Sequence, residues 1–192
     1  GTLKADEEVV ISSEVDGIVK TVKVEEGSAV GRGTLLAEIN DIDYALDEKR
    51  ADAALKQAQA NLANVKAEFQ RKDALFREEL ITRQQFDDIS TRVALAEADL
   101  ARAKATLDTS RERVARTKIY SPLRGMVKEK RISVGDYVRT GSPLFQLIKV
   151  DLLKLNFTVG ERDLAALKTG QDVDFTVDSF PDKKFKGRVN LL

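Results

Sequence analysis

The chain has 192 residues, in which 32 lysines and arginines balance 32 aspartates and glutamates, and it contains neither histidine nor cysteine. The balance leaves no basic field for nucleic acid or for an anionic lipid surface. The missing residue types remove disulfides, thiolate chemistry, histidine-based triads and the commonest transition-metal ligand, so no catalytic, cofactor-binding or metal-binding residue is expected.

Charged residues make up 33% of the chain and aromatic residues 6%, a composition that suits much solvated helix over a modest core. No apolar run approaches the roughly 18 residues of a membrane span. The chain opens at Gly1-Thr2 without an initiator methionine and is read as an excised or processed fragment that has lost its targeting segment.

Residues 8–40 read as short strands with turns at Gly17, Gly27 and Gly31-Arg32-Gly33. This segment returns later in the chain. Ser13-Glu14-Val15-Asp16-Gly17-Ile18-Val19-Lys20 matches Ser121-Pro122-Leu123-Arg124-Gly125-Met126-Val127-Lys128 at a constant offset of 108 residues. The offset continues without a gap, pairing Gly27 with Gly135, Val30 with Val138, Gly33 with Gly141 and Leu36 with Leu144. Glycine is the residue for positive φ and for close backbone approach, so matched glycines imply matched turns. Two copies are too few for a solenoid, which needs about three. They are expected to be halves of one small β module, residues 8–40 and 119–148, packed on each other about a pseudo-twofold axis with Gly17 and Gly125 equivalent.

At Asn40-Asp41-Ile42-Asp43 the period changes, and these residues read as a helix start rather than a metal site. From Tyr44 to Ser121 there is neither glycine nor proline, and good helix formers dominate. Two heptad seams run through this stretch. The first is Leu55, Ala58, Leu62, Val65, Phe69, Lys72 and Phe76; the second runs Phe86, Ile89, Val93, Ala96, Leu100, Ala103, Leu107, Ser110, Val114 and Thr117. Each seam demands a partner helix. Opposite charges four apart support the outer faces, at Glu68/Lys72, Asp73/Arg77, Asp88/Arg92 and Glu112/Arg116. Thr82 with Gln85 forms a capping box, and Ile81 with Phe86 has hydrophobic-staple spacing, so a new helix begins near Arg83. Residues 41–118 therefore read as an antiparallel helical hairpin with its tip near 79–83 and a length of roughly 50 Å. Because the hairpin leaves and returns at one place, it brings the two β halves together.

Beyond residue 148 the pattern alternates again. Leu153, Leu155, Phe157 and Val159 form one series, Val173, Phe175 and Val177 a second, and Phe185 and Val189 a third. These predict antiparallel strands with one buried face, with a short helix near 161–168 closed by Gly170. Three strands make a thin core with open edges, so residues 149–192 are expected to be part of a β-barrel. The fold class is α+β and multidomain.

Split β halves around a helical hairpin, followed by a β-barrel, resemble the periplasmic adaptor (membrane fusion) proteins of RND-type tripartite efflux pumps, within the HlyD-like family. The resemblance covers essentially the whole chain. It rests on Gly17-Ile18-Val19 with Val24-Glu25-Glu26-Gly27-Ser28, on Thr117-Lys118-Ile119-Tyr120-Ser121-Pro122-Leu123-Arg124-Gly125, and on Val159-Gly160-Glu161-Arg162-Asp163-Leu164 through Gly170-Gln171. The β module is similar to a biotinyl/lipoyl domain. At the hairpin turn the family's pattern of Arg, Leu four on and Ser seven further falls on Arg71, Leu75 and Thr82. Thr keeps the hydroxyl of Ser and adds a methyl. The resemblance implies that these three residues touch the periplasmic end of a TolC-like exit duct. Each also has a plain structural reading: Thr82 as an N-cap, Leu75 as hairpin core beside Phe76, and Arg71 as a solvated helix residue.

The resemblance implies a non-enzymatic adaptor in the periplasm, held to the inner membrane by a segment absent from this fragment. Its partners would be an inner-membrane RND transporter, the duct, and further copies of itself in a ring, hexameric in the complex. Two other functions fit parts of the pattern. An adaptor of an ABC-type or type I secretion system would share the β modules, although secretion adaptors carry much longer hairpins. A biotin or lipoate carrier would need an exposed lysine turn at Asn40–Tyr44, where this chain starts its hairpin and shows no Met-Lys-Met-type motif.

Overall fold

A computed structural model describes residues 2–5, 8–149, 153–156, 168–177 and 180–190. The chain divides into two compact units, one made of residues 5–152 and the other of residues 1–4 with 153–192.

In the larger unit, the first sequence copy supplies β2 (Glu8–Ser12), β3 (Gly17–Val22), β4 (Ala29–Val30) and β5 (Leu35–Ile39). The second supplies β6 (Lys118–Tyr120), β7 (Gly125–Lys130), β8 (Tyr137–Val138) and β9 (Pro143–Ile148). These strands build two four-stranded sheets, ordered β2-β9-β7-β4 and β6-β5-β3-β8, with antiparallel neighbours throughout. Each sheet takes two strands from each copy, and the offset of 108 carries one sheet order onto the other. Gly17 faces Val138 across β3–β8, and Gly125 faces Val30 across β7–β4, which is the same pairing in the other copy.

Hydrogen bonds between the copies repeat as well. The Gly27 N–H donates to Val127 O at 2.8 Å and the Gly135 N–H to Val19 O at 2.9 Å, while Gly33 to Ser121 and Gly141 to Ser13 both measure 2.7 Å. The buried Ser13 hydroxyl donates to Val15 O at 2.5 Å, and Ser121 does the same to Leu123 O at 2.6 Å. The turn glycines fall in matched left-handed conformations, with φ of 81° and 96° at Gly27 and Gly135 and of 81° and 88° at Gly33 and Gly141. Gly17 and Gly125 answer to crowding: a Cβ on Gly17 would stand 2.6 Å from Ile39 Cγ2, and one on Gly125 would run into the carbonyl of Ile148.

The core is duplicated in the same register. Val19/Val127, Val24/Ile132, Val30/Val138, Leu36/Leu144, Ala37/Phe145 and Ile39/Leu147 are all buried in one cluster. Only Ala37/Phe145 differs strongly in volume. Met126 is half buried at the edge pairing of β7 with β4. Lys20 and Lys128 stay at the surface, paired with Asp41 at 3.7 Å and Glu8 at 3.0 Å.

Between β5 and β6 lies the hairpin, α1 (Ile42–Arg77) and α2 (Arg83–Arg116), of 36 and 34 residues. The Asn40 side chain accepts from the Ile42 N–H at 3.2 Å and starts α1. Every residue of the second heptad seam is buried or half buried. The first seam is longer than its apolar residues indicate. The inward positions continue to Ala51, Glu48 and Tyr44 in unbroken steps of three and four. Glu48 is held there by Arg111 at 3.3 Å, and the Tyr44 hydroxyl donates to Asp16 O at 2.8 Å. Two further pairs cross the hairpin, Lys66–Glu97 at 2.8 Å and Arg92–Glu68 at 3.0 Å. The second corrects the expected Asp88/Arg92 pair. Arg92 turns inward to Glu68, which also holds Lys72 at 3.5 Å, so the seam lysine has its counter-charge beside it.

The smaller unit holds two two-stranded ribbons. One joins β1 (Thr2–Ala5) to β10 (Leu153–Asn156), and the other joins β11 (Asp172–Val177) to β12 (Phe180–Arg188). The alternation holds in β11 and β12: Phe175 and Phe185 are register partners with rings 5.7 Å apart, while Asp174 and Lys186 face outward. β1 is an addition to the sequence reading, since four residues carry too little period to register. The expected helix near 161–168 and the stretch 159–164 lie outside the described residues apart from Lys168, and Gly170 has the expected positive φ of 89°.

Candidate docking site at the hairpin tip

The tip is a five-residue connection locked from both sides. At the end of α1, the Leu80 N–H donates to Leu75 O at 2.9 Å and the Glu79 N–H to Phe76 O at 3.0 Å. That pair of bonds is a Schellman motif, whose turning residue needs the left-handed conformation. Glu79 supplies it with φ of 60°, the only non-glycine residue at positive φ among the described residues. At the start of α2, the capping box forms as its sequence requires. The Gln85 N–H donates to Thr82 Oγ1 at 3.3 Å, and the Thr82 N–H donates to Gln85 Oε1 at 3.0 Å. Below the turn an aromatic plug ties the helices together: Phe86 stacks on Phe76 with centroids 4.7 Å apart and tilts against Phe69 at 5.6 Å.

This frame fixes what the tip presents. Phe76 turns into the plug, so Leu75 points away from it and is 40% exposed. Arg71, one turn earlier on the same face, is exposed. Charge pairing singles it out. Lys72 is held by Glu68, Arg77 by Asp73 at 2.7 Å, and Arg83 by Asp87 at 3.0 Å. The Arg71 guanidinium has no ion-pair or hydrogen-bond partner among the described residues. Several donors aligned in a rigid fork are therefore available to carbonyls or carboxylates outside the chain. Thr82 is exposed, and its hydroxyl, which already accepts the capping bond, keeps its proton and one lone pair to offer. The site thus brings Arg71 and Leu75 together on one helix face and sets Thr82 across the turn. Leu80 and Glu79 fall within the expected tip at 79–83, where the sequence assigns them no role, although a tight helix–helix turn without glycine already signals a residue with a Cβ in the left-handed region.

Ion pairing crosses the shaft below the tip at Glu68. Desolvation works to raise the Glu68 pKa, but the Arg92 hydrogen bond and the charges of Arg92 and Lys72 outweigh it and leave it lowered. Among the described residues no group of three or more acidic side chains could hold a metal ion, and no helix is long and apolar enough to cross a membrane.

Residues 7–150 match the family model for the barrel-sandwich hybrid domain of RND membrane fusion proteins. The chain belongs to this family. A multidrug resistance protein MdtA from Proteus mirabilis is 31% identical over 167 residues, covering 86% of this chain and 41% of the relative. The chain thus spans about two fifths of the length of the curated relatives it matches. Among solved structures, MacA from Actinobacillus actinomycetemcomitans superposes with a TM-score of 0.82 at 22% identity, covering 99% of this chain and 64% of that one. A MacA–MexA chimera carrying the Pseudomonas aeruginosa MexA α-hairpin superposes at 0.66 with 27% identity, covering 98% and 62%. The split β module and hairpin of this membrane fusion protein are thus a family fold, and the tip is the end of its longest rigid element.

Proposed function

We propose that this membrane fusion protein is a non-enzymatic periplasmic adaptor, anchored to the inner membrane by a segment outside this sequence. It couples an inner-membrane RND transporter to a TolC-like outer-membrane duct, assembling as a ring, hexameric in the complex, and docking through Arg71, Leu75 and Thr82. The observation that carries the reading is the unpaired Arg71 guanidinium beside an exposed leucine at the end of a braced two-helix rod. A docking tip needs a rigid support, an apolar anchor and a free charge, and all three coincide here. The RND family match supports the choice of transporter class. One tip offers little area, so affinity comes from several copies engaging together.

The test restores Arg71→Asp and Leu75→Asp separately to the full-length protein in cells lacking their own copy. Both variants are expected to abolish efflux complementation and tip-to-duct cross-linking while melting close to the parent, since both side chains face solvent. Full efflux with unchanged cross-linking would leave Arg71 and Leu75 as ordinary surface residues of the hairpin.

A further inference from the structure

Leu80 is the most exposed large apolar side chain among the described residues, at 65%. It stands at the summit of the hairpin, where a charged residue would cost nothing, and the turn that carries it holds Glu79 in a conformation disfavoured for any residue with a Cβ. Backbone strain that persists marks a place where the surroundings over-determine the geometry, and it collects at functional positions. The geometry it enforces is specific. The bond from the Leu80 N–H to Leu75 O ties the two leucines to opposite ends of one hydrogen-bonded ring. In such turns the corresponding pair usually meets and shelters its apolar surface. Here Leu75 remains 40% exposed and Leu80 65%, so the pair presents apolar surface outward. The free Arg71 guanidinium lies one helical turn from Leu75 on the same face.

We infer that Leu80 is a second apolar anchor of the tip, presented together with Leu75 as a two-leucine prong that enters an apolar groove between helices at the periplasmic end of the exit duct. The inference rests on the docking reading above. An occupied groove would bury both leucines at the centre of the contact, with Arg71 and Thr82 at a polar rim, the arrangement in which a few apolar anchors carry most of the affinity. Continuity with Arg71 selects the duct as occupant over a second copy of this chain, because the guanidinium and the prong occupy one end of the rod.

The experiment measures binding of the full-length adaptor to its TolC-like duct, purified in detergent and immobilised. It compares Leu80→Ser, Leu80→Met, Leu95→Ser and Arg71→Asp, and follows melting and self-association of each in parallel. Leu95 is the control, an equally bare leucine on the shaft, 62% exposed. Leu80→Ser is expected to weaken binding about tenfold with melting within about 2 °C of the parent, while Leu80→Met binds within about threefold and Leu95→Ser is unchanged. If Leu80→Ser binds like the parent while Arg71→Asp fails, the docking tip stands and the prong does not. If both bind like the parent, the docking reading falls and the prong with it. A Leu80→Ser variant that melts early, or that loses self-association without the duct, assigns Leu80 to folding or to contact between copies and overturns the inference.

Discussion

Ile89 gives the sharpest test of the hairpin register. Its side chain is fully buried, in a cluster with Val65 and Ala96 that Leu62, Phe69 and Val93 complete. Ile89→Ala removes three carbons, worth ~0.8 kcal/mol each in lost transfer free energy, or ~2.4 kcal/mol together. Alanine's better helix propensity returns a few tenths of a kcal/mol. The void left between close-packed helices adds a cavity cost, because the helices have other seam contacts and cannot collapse onto one position. The net expectation is a destabilisation of about 2–4 kcal/mol, against about 0.5–1.5 kcal/mol for Ile89→Val. Leu95→Ala, the same kind of truncation on the outer face of the same helix, should fall within about 0.5 kcal/mol of the parent. Urea unfolding followed by far-UV circular dichroism reads the hairpin selectively, since α1 and α2 are the only helices among the described residues. The midpoint should move at unchanged m-value. Equal effects at Ile89 and Leu95, or a loss below ~1 kcal/mol at Ile89, would refute the packing of the seam.

Glu79→Gly should stabilise the hairpin by about 0.5–1 kcal/mol, because glycine adopts the left-handed conformation without a Cβ penalty and the Schellman bonds stay intact; a lower urea midpoint would show that the Glu79 side chain contributes more than the strain removes. Asp16 should titrate below its usual 3.8, since it accepts the backbone N–H of Thr140 at 2.6 Å and its hydroxyl at 3.0 Å, with Arg139 adding a favourable charge against an opposing desolvation. A carboxylate with a depressed folded-state pKa contributes stability that is fully present above the ordinary value and is lost as pH falls through the folded one. Thr140→Val should return the midpoint part of the way, the backbone donor remaining, and a carboxyl-resolved NMR titration that finds no difference would remove this tie between the copies.

The sequence made the seam of α2 legible in full because its inward positions are apolar or small, and the start of α2 legible to the residue because Thr82 and Gln85 can satisfy each other's backbone only there. The base of α1 was hidden because its inward residues include Glu48, whose partner Arg111 lies 63 positions away. Arg92 was misassigned for a related reason: Asp88 and Glu68 are both within reach of a long side chain, and only the packed hairpin decides between them. The duplicated β module was legible through matched glycines and valines, yet nothing in either copy announces that the copies exchange strands. That exchange needs the pairing of β3 with β8 and of β4 with β7, which is a property of two chains of residues in space. Of the tip, Arg71, Leu75 and Thr82 came from resemblance, while the freedom of Arg71 and the exposure of Leu80 required every neighbour's position.

The junction between the module and the hairpin accounts for how a small β fold carries so long an insertion. β5 and β6 are antiparallel neighbours, with Glu38 opposite Lys118 and Ala37 opposite Ile119. The Ile39 N–H donates to Thr117 O at 2.8 Å, so the pairing continues to the point where α1 begins and α2 ends. In the logic of the sheet, the whole helical hairpin is the loop of an ordinary β-hairpin. Replacing residues 41–116 by Asn-Gly would leave four residues, from Asn40 to Thr117, between the strands, a length β-hairpins accept. Shortening the connection by about four halvings lowers the closure cost by ~0.6 kcal/mol for each, or ~2.4 kcal/mol in total. The excision gives up Tyr44, which packs partly buried against the core and is worth less than the about 1.5–3 kcal/mol of a fully buried side chain, and the exposed pairs Lys20–Asp41 and Arg116–Glu14, worth about 0–1 kcal/mol each. The terms nearly cancel, so the shortened chain is expected to keep a folded module with the ring of repeated bonds from Gly27, Gly33, Gly135 and Gly141 protected from amide exchange. A collapsed amide spectrum, or loss of protection at those four glycines, would mean that the module depends on its hairpin and that the rod is more than a spacer set into an independent fold.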